Sequence, residues 1–347
     1  LAVALFAASQ YFSPIILRDI IESPQVYGAT ADYVHWRTYG IFFSFLCVMF
    51  RAYYVGITQT KILTVNSIVM LLSNVALNYC LIFGKGGFPA AGIAGAAIAS
   101  SVSEAVSLLF FIIYTSMTAD KRKYGFRRAF TLRPHLLKGM LSISGWTMVQ
   151  SFISVSIWFI FFLAIEHLGE RPLAVTNIVR NISALLIMVI SAFATTAGAL
   201  ISNQIGAGEQ RCLFKTCGMT LKLTYAILIP LLIILCLFPE SVLRAFTDSP
   251  SLIAASVNSV YVMASSTLIM APSFILFNAV SGTGNTRAGF IMEMISLAVY
   301  TAVIYYGIIR LKPDVALCWF SEHVYGVTLI FLAWWYLKSG KWRGKKV

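Results

Sequence analysis

The stretch Gly56-Ile57-Thr58-Gln59-Thr60-Lys61 returns 226 residues later as Gly282-Thr283-Gly284-Asn285-Thr286-Arg287. In the same register Leu17-Arg18 returns as Leu243-Arg244, and Glu22-Ser23-Pro24 as Asp248-Ser249-Pro250. Phe12 returns as Phe238 and Val34 as Val260. One register held over about 45 residues, mixing turn formers with charges, marks an internal repeat. The second copy begins near Arg133. The same offset sets the start of the first copy roughly 90 residues ahead of Leu1, so the sequence reads as lacking the opening of its first half.

Composition says where such a repeat folds. Apolar residues make up 59% of the chain and charged residues 11%, with a mean hydropathy of +0.82. A soluble domain carries about 25% charge. This chain cannot cover its apolar surface with charge, so it reads as an all-α membrane protein. A single repeat in a very apolar chain is a signature of a two-lobed transporter. Residues 1–17 are apolar without a basic leader, which fits a cut-off span better than a signal peptide. The six cysteines stand singly, without a CxxC pair, and the four histidines are scattered without metal-ligand spacing. No cofactor is called for.

Net charge is +13, but its placement argues against nucleic acid. Lys121, Arg122, Lys123, Arg127, Arg128, Arg133 and Lys138 form one cluster, and Lys338, Lys341, Arg343, Lys345 and Lys346 another. Each follows an apolar span, and the two occupy equivalent places in the two copies. Both are therefore expected in the cytoplasm. Copies that end on the same side hold an even number of spans, so the repeat is parallel rather than inverted.

Breaking the chain at Gly, Pro and charge clusters gives a partial span at 1–16 and full spans at 25–50, 61–83 and 89–117. After the linker come spans at 139–165, 172–205, 211–238, 251–280, 287–309 and 315–337. The expected domains are 1–117, the remainder of an N-lobe (about helices 3–6 of twelve); 118–138, a basic linker; and 139–347, a complete six-helix C-lobe with a basic tail.

Several segments carry a family's wording. They are Asn74-Val75-Ala76-Leu77-Asn78-Tyr79-Cys80-Leu81-Ile82-Phe83-Gly84, the turn Lys85-Gly86-Gly87-Phe88-Pro89, the run Ala91 to Ser100, and Ser202-Asn203-Gln204-Ile205-Gly206-Ala207-Gly208-Glu209. In order and spacing they resemble the multidrug and toxic compound extrusion (MATE) family, over essentially the whole chain. The resemblance implies twelve helices in two lobes around a central cleft. It also implies export of organic, often cationic, compounds against H⁺ or Na⁺ by alternating access, in a bacterial inner membrane, by a monomer and not by an enzyme.

Polar residues inside spans are the candidate machinery. Asn74 and Asn78 share a helix face, as do Ser100 and Glu104 on the next helix, and the four are expected to form one polar patch. In the family this region uses polar residues of the fifth and sixth helices. One branch has an aspartate where Asn78 stands, and an amide cannot titrate. The bland reading is a hydrogen bond that only joins two helices. Glu104 lies about 15 residues into its span, where a carboxylate is costly unless protonated or paired. It is thus a candidate proton carrier, or a salt-bridged structural acid. Glu104→Gln is expected to spare folding while weakening proton-coupled export. Gln150, Asn177, Arg180, Asn181 and Glu293 are candidate cleft residues, and Glu166 is positioned to pair with Arg180.

The NorM-type branch places a glutamate in its seventh helix and an aspartate in its tenth. Here the corresponding segments, 150–159 and 265–272, hold no acid. The DinF-type branch uses an aspartate in a first helix absent from this sequence. N-lobe coupling is therefore the expectation, and the sequence as given is expected not to transport by itself. A lipid-linked saccharide flippase remains the alternative, though it should show several cleft cations where Arg180 stands out alone. A membrane receptor or enzyme is a further alternative, without a catalytic constellation. Gly282-Thr283-Gly284 and Gly206-Ala207-Gly208 are read as turns at helix ends, since neither is a GxxxxGK[ST] loop.

Overall fold

In the computed structural model, which describes residues 2–20, 24–118, 134–340 and 342, the described residues are helical and turn structure without strands. The basic linker between 119 and 133 and the tail residues Lys341, Arg343, Lys345 and Lys346 lie outside the described residues. The chain divides into two compact units, Leu1–Thr131 and Leu132–Val347.

The first unit contains α1 (Ala2–Ile20), α2 (Pro24–Gly56), α3 (Lys61–Phe83) and α4 (Gly92–Thr118). The second contains α5 (Pro134–Glu166), α6 (Glu170–Gly206), α7 (Leu213–Leu237), a short α8 (Pro239–Leu243), α9 (Pro250–Gly282) and α10 (Thr286–Val303). A π-helical turn, Ile304–Arg310, continues α10; α11 (Val315–Cys318) and α12 (Ser321–Ser339) complete the unit. Among the described residues nine helical segments are long and apolar enough to cross a membrane, close to the spans read from sequence. The chain is a multi-pass membrane protein.

The repeat is written into the helices. α2 and α9 have the same length, 33 residues, and begin and end at positions related by the sequence offset. Each begins with a proline, which costs nothing where the backbone N–H would be unpaired anyway. Asn285 then caps α10 by accepting a hydrogen bond from the Ala288 backbone N–H. α3 stops at Gly84, whose φ of 65° closes the helix in the left-handed region.

In the first unit α4 lies between α2 and α3. Small residues let it approach both. An added Cβ on Gly95 would sit 2.5 Å from the Leu81 carbonyl oxygen of α3, and Ala97 and Ala99 are fully buried. Polar pairs then lock the register. Asn66 donates to Ser107 Oγ at 2.8 Å and Ser107 donates back to Asn66 Oδ1 at 3.1 Å, both fully buried. Replacing Asn66 with Ala removes both bonds and leaves a cavity; Cys47 Sγ, 3.5 Å away, is the remaining partner of Ser107. We expect a cost of about 1–3 kcal/mol, read as a lowered unfolding midpoint in detergent. An unchanged midpoint would show that the pair contributes nothing. In the second unit α9 is the centre, packed on by α6, α7 and α12, while α10 leans on α5 and α12.

Candidate functional site

The first unit separates residues that the sequence reading put together. Asn74 Nδ2 donates to Ser103 Oγ at 3.2 Å and lies 3.4 Å from Ser100 Oγ. Asn78 Nδ2 donates to Asn74 Oδ1 at 2.9 Å. These groups form a cluster between α3 and α4. Glu104 is not part of it. Its carboxylate turns to α2, where Arg37 holds it with two bonds, Nη1 to Oε2 at 3.1 Å and Nη2 to Oε1 at 2.6 Å. The expected four-residue patch is therefore corrected to an amide–hydroxyl cluster and a separate ion pair. The reason is the central place of α4: residues one turn apart still diverge enough for one to meet α3 and the other α2.

Arg37 was missed, although its signal was present as a cation well inside an apolar run. α2 and α4 are separated by one antiparallel helix and so run the same way. Arg37 and Glu104 lie at similar distances from the starts of their helices, roughly 18–20 Å by helix rise. Equal depth lets them meet. Gly40 makes room: an added Cβ there would collide with the Arg37 guanidinium and Glu104 Oε2. Arg37 also borders a cavity of about 340 Å³ with Tyr33, Thr38 and Ser44. This is the one salt bridge among the described residues.

The second unit holds two adjoining cavities of about 500 and 250 Å³ that share Trp158, Ile187 and Glu322. Arg180, Asn181, Ser183 and Trp319 line the first; Ser154, Met270, Phe274, Glu293, Tyr300 and Tyr325 line the second. Of the candidate cleft residues, Arg180, Asn181 and Glu293 are brought here. Gln150 and Asn177 are not among the residues lining these two cavities. The Glu166–Arg180 pair is corrected as well. Glu166 is exposed, while the Arg180 guanidinium lies 5.2 Å from the Phe162 ring centroid and 5.9 Å from that of Trp158. Ring faces one turn apart on α5 supply a nearer partner than the helix end.

Two carboxylates meet two tyrosines in this space. Glu293, on α10 and 4% exposed, accepts from Ser154 Oγ and from Tyr325 Oη, each at 2.9 Å. Glu322, on α12, accepts from Tyr300 Oη at 2.8 Å. The Tyr300 and Tyr325 rings touch edge to face with centroids 5.8 Å apart. Neither carboxylate has a cation at ion-pair distance among the described residues. Glu322, Tyr300 and Tyr325 were missed in the sequence, where residues 315–337 read as a final span. The signal was helical spacing: Glu322 with Tyr325 three residues on, and Glu293 with Tyr300 two turns on.

Comparison with known proteins places this fold. The MatE family model matches residues 147–306. The chain is 25% identical over 268 residues to an uncharacterized transporter, YisQ, of Bacillus subtilis, covering 74% of this chain and 56% of the relative. It is 25% identical over 291 residues to a probable multidrug resistance protein NorM of Thermotoga maritima, covering 79% and 59%. The chain thus spans little more than half the length of these curated relatives. Its fold matches that of a MOP superfamily transporter from Pyrococcus furiosus with a TM-score of 0.85 at 16% identity, over 98% of this chain and 75% of that one. An outward-facing multidrug resistance MATE family transporter matches equally, at 0.85 and 15% identity, over 98% and 76%. Matched family model, named relatives and fold agree with the motifs at Asn74–Gly84 and Ser202–Glu209: the chain is similar to MATE family transporters, with the family model covering residues 147–306.

Proposed function

We propose that this chain serves a secondary active exporter of small organic compounds, working by alternating access and exchange against a cation, H⁺ or Na⁺. The observation that supports it best is the double cavity of the second unit. Aromatic rings of Trp158, Phe274, Tyr300 and Tyr325 and two carboxylates free of ion pairs suit a flat compound bearing positive charge. The relatives named for multidrug resistance support broad specificity, as does a wall of rings and Met270 rather than a fixed set of hydrogen bonds. A flippase for a pyrophosphate-linked lipid would need several cations. Arg180 is the cation lining this space, and its guanidinium rests on Phe162 and Trp158.

Unit 1 enters the proposal through oxygen atoms. Asn74, Asn78 and Ser100 offer amide and hydroxyl oxygens suited to Na⁺, whereas Glu104 is committed to Arg37. We place the protein in the bacterial cytoplasmic membrane as a monomer.

Vesicles holding the protein at full length, with the opening of its first half in place, should accumulate ethidium when an H⁺ or Na⁺ gradient is imposed, and not without one. Glu322→Gln should lower that uptake at least tenfold, about 1.4 kcal/mol of lost interaction, whereas Glu166→Gln at the exposed end of α5 should leave it unchanged. Uptake indifferent to both gradients, or equal in Glu322→Gln, would sink the reading.

A further inference from the structure

The hydrogen bonds at Glu293 are one-sided. Oε1 accepts both donors, Ser154 Oγ and Tyr325 Oη, while Oε2 is buried, makes no hydrogen bond and belongs to a side chain that lines the inner cavity. An ionised carboxylate has two equivalent oxygens and only accepts. A neutral carboxyl has one carbonyl-type acceptor and one O–H donor. Both donors on one oxygen and none on the other is the pattern of the neutral group, with its hydroxyl at the buried Oε2.

The surroundings agree. α5 contributes Ser154, Val155 and Trp158; α6, Ile187; α9, Met270 and Phe274; α12, Glu322 and Tyr325; and α10 itself, Leu297 and Tyr300. The titratable groups facing Glu293 are thus Tyr300, Tyr325 and Glu322, and none brings positive charge. Arg180 borders only the adjoining cavity. Two ionised carboxylates in one apolar chamber repel, so the arrangement favours one of them neutral. A dehydrated metal ion at Oε2 would need several oxygens around it, whereas a proton needs only the one. Among the described residues no group of three or more His, Cys, Asp or Glu side chains is placed to hold a metal ion.

We propose that Glu293 is an exchangeable proton site, carrying its proton on Oε2 and releasing it into the chamber when water or a cation arrives. In that step the Oε2–H bond breaks, the proton passes to water, and the electron pair stays on Oε2 to face the incoming charge. The site deepens the export reading and rests on it only for the purpose the proton serves.

Infrared spectroscopy of the protein in lipid vesicles tests the site directly. At neutral pH the wild type should show the carbonyl band of a neutral carboxyl, which shifts in D₂O and bleaches on raising the pH. Glu293→Gln should lose that band, and Glu104→Gln should keep it. A carbonyl region unchanged by Glu293→Gln, or a wild-type band insensitive to D₂O and pH, overturns the proposal. Should Glu293→Gln fail to fold, the pair Ser154→Ala with Tyr325→Phe keeps the acid and removes both donors to Oε1. The band should then move to higher frequency, and a fixed band overturns the assignment. Ethidium uptake reports the export reading separately: uptake without the band sinks the proton site alone, and the band without uptake sinks export alone.

Discussion

Replacing Arg37 with Ala is expected to destabilise the first unit by about 2–3 kcal/mol, clearly more than replacing Glu104 with Gln. Breaking a buried ion pair by deleting one partner costs about 3–5 kcal/mol, because the other charge stays buried and unpaired. The two partners are not equally buried. Side-chain exposure is 37% for Arg37 and 11% for Glu104, so the full figure is discounted for solvent screening. Removing Arg37 strands a carboxylate among α2 and α4 side chains. Removing the Glu104 charge leaves a guanidinium that still faces an open cavity, and Gln still accepts one of its hydrogen bonds. Glu104→Gln should therefore cost about 1 kcal/mol. Gly40→Ala should act in the same direction, since its methyl group would enter the space of the pair. Unfolding midpoints in detergent for the three variants settle the order. Equal stability of Arg37→Ala and wild type would mean that the pair is not holding α2 to α4. The result also bears on Glu104 as a carrier. With Arg37 on both of its oxygens, Glu104 matches the salt-bridged alternative read from sequence, while Glu293 and Glu322, without an ion pair among the described residues, lie in the second unit.

What the sequence revealed, and what it did not, divides along a physical line. Hydropathy and turn chemistry act along one helix. The spans, the matching bounds of α2 and α9, and the glycine turns at Gly84 and Gly284 were therefore legible. Face and depth were legible as well: Asn74 and Asn78 do share a face and do bond each other. Which neighbour a polar group meets depends on how helices are ordered around one another, and no period in the sequence carries that. Glu104 was given the right depth and the wrong partner. Arg180 was given a carboxylate at a helix end, when the rings of Trp158 and Phe162 lay closer. Glu322 sits in the first turn of α12, a position that reads as a span end. It becomes an interior acid only because the chain breaks and re-enters through Asp314–Phe320 beside Tyr300.

Gly282→Ala is expected to cost the second unit about 1–3 kcal/mol, and Gly282→Val to abolish its folding, whereas Gly56→Ala at the matching repeat position should be neutral or slightly stabilising. Both glycines end 33-residue helices, and neither needs a positive φ, so the turn alone does not require glycine at either place. What differs is the neighbour. An added Cβ on Gly282 would lie 2.5 Å from the carbonyl oxygen of Gly198, and one on Gly198 would lie 2.9 Å from the carbonyl oxygen of Asn278, one turn before Gly282. At this crossing α6 and α9 touch backbone to backbone. A carbonyl fixed in a helix cannot rotate aside as a side-chain tip can, so the whole helix has to move, and overpacking of this kind costs about 1–3 kcal/mol for one methyl group. In lipid the loss matters more, because close backbone packing takes over the part that apolar burial plays in water. Gly56 has no atom within 4 Å of an added Cβ, and alanine there gains up to about 1 kcal/mol of helix propensity, less at a helix end. Thermal unfolding of the paired variants reads the contrast. If Gly282→Ala and Gly56→Ala shift the midpoint alike, the crossing is not closed by Gly198 and Gly282, and the close packing of α6 on α9 must be carried by other positions.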